Sequence, residues 1–445
     1  MSFYEQKEDQ LWSGIKGFFY RKINKLTANQ VFTPSSQAIY CFVERTHINN
    51  KLVDALKTPG KQIVIYGLTG SGKSTILYNK LIQTYEKSIE VSCTSHTTFE
   101  ELLVNSFDQL NEYYLTRFDQ SLESKLNIDL TVLKSEIKNQ NNTSHERVIP
   151  PQLSLERLIE AFGKSNACWL IEDFHRLNPD SKKKIAEVMK VFMDKAKYYP
   201  ETKMILVGTV TNAKEVISLA PDMKYRTTEI YIPFMSEEEL KSIILKGENL
   251  LNITINADVK NTIIRFSSGI PSVTHQLCLN ICNSLGIYET QDFNQEISFE
   301  EFKKALEVYL DEISDSLKEY FKQIAQTKPS VHRFLSFLVN HKGIEFELDE
   351  LLKQRKDHNY PIPEEELIDN LNFFSTEDLQ TSFLVKYHDK EKYRFKDPFF
   401  KVCITSIIEV GKIEKNQQLA IDFRRSQDFQ KELARQILSS QNYEF

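Results

Sequence analysis

Apolar residues recur at helical spacing near the start of the chain, at Leu11, Ile15, Phe18, Phe19 and Ile23. Phe32-Thr33-Pro34-Ser35-Ser36 interrupts that pattern with loop and cap residues. An amphipathic helix is expected from Asn49 to Leu56, stopped by Pro59-Gly60. The period then switches. Lys61 to Tyr66 is a short β-branched run that reads as a buried strand, Ile76 to Tyr85 as a helix, and Ser88 to Val91 as another strand. Cys168–Ile171, Met204–Val207 and Glu229–Pro233 are further strands. A helix from Ser181 to Lys197, with Ile185, Val188, Met189 and Phe192 on one face, separates the first two of these. Strand–helix–strand alternation predicts an α/β fold with a parallel sheet flanked by helices.

From Glu237 to about Glu319 the pattern is helical throughout and reads as a lid. Short helices follow, then two strands around Asp389-Lys390-Glu391 that form a hairpin, which suggests a winged-helix-like α+β module. The expected divisions are an N-terminal helical segment (1–30), an α/β core (31–234) with a polar insertion at about 121–151, a helical lid (235–320), the winged-helix-like domain (321–410) and a charged helical tail (411–445). No internal repeat is visible.

Composition narrows the reading. The chain has 445 residues, a net charge of −6, 41% hydrophobic and 27% charged residues. That length calls for more than one core, and the acid excess excludes a uniformly basic nucleic-acid binder. The six cysteines are dispersed with no CxxC, and reduced core thiols are expected. The N-terminus has no apolar leader, and no apolar run approaches the ~18 residues of a membrane span. A cytoplasmic protein without membrane contact is expected.

The strongest chemical signal is Gly67-Leu68-Thr69-Gly70-Ser71-Gly72-Lys73-Ser74, a G-x-x-x-x-G-K-[ST] loop between a strand and a helix. Its glycines let backbone N–H groups face a triphosphate, and the helix dipole adds to them. Lys73 would meet the β and γ phosphates of ATP, Ser74 would ligate Mg²⁺, and Thr75 would lie against the nucleotide. Glu172 and Asp173 end an apolar strand whose separation from the loop fits a place next to it in the sheet. Glu172 is assigned to the metal and Asp173 to the attacking water. Thr209, with Thr211 in reserve, is the candidate for touching the γ-phosphate or that water. Arg226 could reach into a neighbouring subunit's nucleotide. Arg45 and His47 are candidates for the base pocket. Arg176, Lys182, Lys183 and Lys184 read as a solvated basic helix face.

Over roughly Phe32 to Leu285 these residues resemble the AAA+ superfamily, in the branch shared by STAND signalling ATPases and origin-recognition initiators. Phe32-Thr33-Pro34 followed by Glu44-Arg45 is similar to a stretch in which a Gly-Arg pair contacts the base. Here Glu44 replaces the glycine, so only Arg45 carries over. Gly269-Ile270-Pro271 resembles a lid Gly-x-Pro motif whose proline senses the nucleotide. His275 stands near the place where the initiators carry an arginine, either as a substitute sensor or as a core histidine. Tyr393 to Phe400 looks like the Asp-Pro-Phe segment that closes a STAND winged helix. The resemblance implies an ATP- and Mg²⁺-dependent molecular switch, homo-oligomers, an effector protein as partner and a role in antiviral defence; the order Glu172-Asp173, reversed from the Asp-Glu usual in such ATPases, puts fast hydrolysis in doubt. The alternative is a DNA-binding initiator or loader acting through the winged helix. The mixed charge from Lys386 to Lys401 makes a poor phosphate-tracking surface.

Overall fold

The computed structural model describes residues 25–110, 154–209, 225–312, 315–327, 331–341, 343–357, 362–376, 381–387 and 391–417. The N-terminal periodic stretch, the polar insertion, Thr211, the Asp389-Lys390 turn and the tail beyond residue 417 lie outside them. The chain divides into two units. One is Glu44–Phe234; the other joins the chain up to Val43 with the chain from Met235 onward.

The described chain starts with α1 (Ala28–Val31), a single turn closed by a reciprocal cap between Thr27 and Gln30. The Glu44–Phe234 unit then runs α2 (Thr46–Lys57), β1 (Gln62–Tyr66), α3 (Lys73–Thr84), β2 (Lys87–Ser92), α4 (Phe99–Gln109), α5 (Leu155–Lys164), β3 (Ala167–Glu172), α6 (Pro179–Lys195), β4 (Met204–Gly208) and β5 (Thr227–Tyr231). The five strands form one parallel sheet in the order β2-β3-β4-β1-β5. Ile63, Val64 and Ile65 are wholly buried, as continuous apolar runs in a doubly covered sheet must be. Trp169 of β3 stacks against Phe162 at 5.8 Å and Phe192 at 6.0 Å, fixing α5 and α6 on one face.

The sheet order corrects one expectation. β3 does not lie next to β1, because β4 stands between them, pairing Ile63 with Ile205 and Ile171 with Leu206. Met204 to Gly208 is buried at every position, and only a central strand satisfies that pattern.

The second unit continues with α7 (Glu237–Leu251), β6 (Ile253–Ile255), α8 (Ala257–Ser267), α9 (Pro271–Ser284), β7 (Gln295–Ile297) and α10 (Phe299–Glu312). The expected all-helical stretch is therefore interrupted: β6 and β7 pair in parallel, burying Ile253, Ile255 and Ile297. The core boundary also moves. Phe32 is fully buried against α7, where a Cβ on Gly247 would lie 2.2 Å from its ring, and edge-on to His275 of α9. These contacts draw residues before Val43 into this unit instead of the α/β core.

Next come α11 (Asp315–Thr327), α12 (Val331–Val339), β8 (Glu345–Glu347), α13 (Leu348–Asp357), α14 (Glu364–Phe374), β9 (Leu384–Lys386), β10 (Lys392–Phe395) and α15 (Pro398–Gln417). The expected hairpin is present as antiparallel β9 and β10, and β8 adds a third strand on the other side of β10. Phe374, Phe383 and Phe400 form its aromatic core, with ring centroids 4.7 and 5.4 Å apart. The buried Lys401 donates to the carbonyls of His341 (2.7 Å) and Gly343. All six cysteines are buried free thiols. No described helix is long and apolar enough to cross a membrane.

Candidate functional site

The loop after β1 is shaped by three glycines. A Cβ on Gly67 would sit 2.4 Å from the Ile232 carbonyl oxygen, so the chain passes β5's exit too closely for any side chain. Gly70 and Gly72 have φ of +82° and +87°, and Gly72 caps α3 in that left-handed conformation. Ser71 N–H turns back to Leu68 O at 3.2 Å, while the Ser71 hydroxyl is buried without a partner among the described residues. Leu68 is buried and Thr69 exposed; Thr75, half-buried in the first turn of α3, gives its carbonyl to Asn79.

Lys73 folds over this loop. Its Nζ donates to Gly67 O at 2.9 Å and Leu68 O at 3.0 Å. Burial lowers its proton affinity, and Asp173 and Glu172 pull it back up. Ser74 Oγ donates to Glu172 Oε1 at 3.0 Å, so the first turn of α3 meets the end of β3 across the intervening strand. A hydroxyl and a carboxylate oxygen at that spacing are hard ligands of the kind Mg²⁺ takes together with phosphate and water. The glycine cradle fits an anionic nucleotide tail by the same test.

Asp173 follows in a left-handed backbone conformation, φ +52°, which starts a 3-10 turn over Phe174–Arg176. Its carboxylate is about half exposed. Oδ1 lies 3.9 Å from His175 Nδ1 and Oδ2 lies 3.8 Å from Arg176 Nε. Thr209 stands half-buried just beyond the Tyr66–Gly208 pair, on the strand that neighbours the loop.

Arg45, Arg226 and His275 each find partners within this chain. Arg45 is 6% exposed and donates to Pro233 O at 2.7 Å and Phe234 O at 3.0 Å, so it pins the exit of β5 instead of facing a base pocket. The neighbouring Glu44 accepts from Lys80 of α3 at 2.8 Å. Arg226 pairs with Asp194 at 3.0 Å at the start of β5, the sheet edge opposite the phosphate loop, and does not approach its own chain's loop. His275 is a core residue of the other unit: its Nδ1 accepts the Thr33 N–H at 3.1 Å, and burial lowers its pKa to about 4. Pro271 opens α9 behind Gly269, whose φ is +86°. In the basic cluster, Lys184 pairs with Glu100 at 2.7 Å.

Two residues escaped the sequence reading. Glu90 of β2 lies on the same sheet face as Glu172, and burial together with that carboxylate raises its pKa. His175 lies within electrostatic reach of Lys73 and Asp173, and burial lowers its pKa. The place of His175 three residues after Glu172 was a visible signal. Glu90 became visible only with the strand register.

No protein-family model matches the chain, and a search of curated proteins returns no match. Solved structures with a similar overall trace include a Walker-type ATPase of Pyrococcus abyssi at 14% identity and TM-score 0.47, covering 82% of this chain and 96% of that one. The ORC2 protein of Aeropyrum pernix, in ADPNP–ADP complexes, follows at 12% and 0.45, covering 86% and 98%. The RuvB Holliday junction branch migration motor of Thermotoga maritima stands at 14% and 0.42, covering 83% and 97%. Likenesses of this size identify no activity.

Proposed function

We propose that the chain is an Mg²⁺-dependent ATP-binding protein that hydrolyses ATP slowly and works as an AAA+-type switch. The observation that carries this reading is the Ser74–Glu172 contact at 3.0 Å beneath the glycine cradle. It supplies a metal-side oxygen pair where a bound triphosphate would end.

The backbone amides from Gly67 to Ser74 bind the phosphates, and Lys73 leaves its two carbonyl partners to neutralise their charge. Ser74 and Glu172 hold the cation, which when bound polarises the phosphoryl oxygens. Asp173 orients the attacking water and accepts its proton, and Thr209 bonds the γ-phosphate side. Asp173 is one methylene shorter than glutamate and only half enclosed, which supports slow turnover. A nucleotide-dependent conformational change, self-association, an effector partner and a defence role remain part of this reading through the sequence resemblance alone.

The test is direct. Lys73→Ala should abolish the ATP-induced rise in melting temperature, and Asp173→Ala should keep it while lowering turnover at least tenfold. Unchanged ATP affinity in Lys73→Ala would sink the site.

A further inference from the structure

Among the described residues, none gives Asp173 a strong hydrogen bond that orients its carboxylate. The His175 and Arg176 nitrogens lie 3.9 and 3.8 Å away, beyond bonding distance. Meanwhile His175 Nδ1 is buried with no hydrogen-bond partner among the described residues. Buried nitrogens are seldom left orphaned, and each exception calls for an explanation. The two residues are fixed relative to each other by the 3-10 turn, in which Arg176 N–H closes on Asp173 O at 2.8 Å. That turn begins at the left-handed Asp173, a strained conformation of the sort that collects at working sites. The Asp173 side chain is half exposed, whereas the His175 ring is 22% exposed.

We propose that His175 is a positioning residue for Asp173. When nucleotide fills the loop, Asp173 Oδ1 closes the gap and accepts a hydrogen bond from His175 Nδ1–H, which holds the carboxylate toward the water. The short aspartate thereby gains the fixed orientation that a longer acid would gain by reach. Burial lowers the ring's pKa and so favours the neutral form, in which one nitrogen carries a proton to give. This inference rests on the hydrolytic reading of the same site.

The experiment compares full-length wild type, His175→Phe, His175→Asn and His175→Gln in saturating Mg-ATP, with ATP-induced thermal shift as the folding control. His175→Phe should lower kcat at least tenfold with KM and ATP affinity within twofold. His175→Asn, whose amide nitrogen overlays Nδ1, should recover most of the loss; His175→Gln, which reaches toward Nε2, should not. In an Asp173→Ala background, adding His175→Phe should change nothing further. Wild-type turnover in His175→Phe, rescue by Gln in place of Asn, or an additive loss in the double variant would overturn the positioning role alone. So would Arg176→Ala reproducing the whole effect while His175→Phe does not. A wild type that binds ATP and never turns it over would overturn the hydrolytic reading and this role together. If His175→Phe fails to fold, the Asn and Gln pair decides.

Discussion

Lys401 shows what a single residue can report about its surroundings. It is 2% exposed, and its ammonium faces carbonyl oxygens of the loop between α12 and β8. Burial lowers its pKa to about 7 from the model-compound value of 10.5. Between these two values the unfolded chain binds a proton that the folded chain does not. Stability contributed at this site therefore rises with pH across the window, by up to about 1.4 kcal/mol per pH unit. Below pH 7 both states are protonated and the slope vanishes. Urea titrations at pH 7.5 and 9 should show wild type gaining up to ~2 kcal/mol relative to Lys401→Met. Equal slopes would mean the ammonium is solvated.

At the level of elements, α7 and the Phe32 loop are matched through an absent side chain. Gly247 lies inside a helix, where alanine would ordinarily help by up to about 1 kcal/mol. Here an added Cβ would meet the buried Phe32 ring. Gly247→Ala should therefore lose ~1–3 kcal/mol in chemical denaturation, as overpacked sites do. Adding Phe32→Leu should restore part of that loss in a double-mutant cycle; simple additivity would place the strain elsewhere. The same scale shows what was legible beforehand. β1, β3 and β4 were readable because each is an unbroken apolar run, and the phosphate loop because its glycines sit between a strand and a helix. β6, β7 and β8 were not, since three residues are too few to display an alternation and none of the three is joined to a neighbouring strand by a short turn, as the equally short β9 is to β10. The place of β4 between β1 and β3 was hidden because strand order is decided by which run needs burial on all sides. Glu90 was hidden because its face depends on pairing with β3. From their neighbours in sequence Arg45 read as a base-pocket candidate and His275 as either a sensor or a core histidine, and the folded chain gives both to main-chain atoms distant in sequence.

For the molecule as a whole, the phosphate loop, Glu172, Asp173 and His175 all belong to the Glu44–Phe234 unit, while Pro271 and the C-terminal sheet belong to the other. Mass photometry with ATP, ADP and no nucleotide should show a larger species with ATP alone, unchanged by added DNA. A mass increase that requires DNA and weakens with salt would favour the loader reading. The chain leaves one unit and returns to it only at Val43–Glu44 and Phe234–Met235, and Arg45 ties the second crossing to the first through two carbonyls. The Glu44–Phe234 unit is thus built like a cassette whose ends are clipped together. With its two ends held this near each other, a short linker between them would let the unit be circularly permuted.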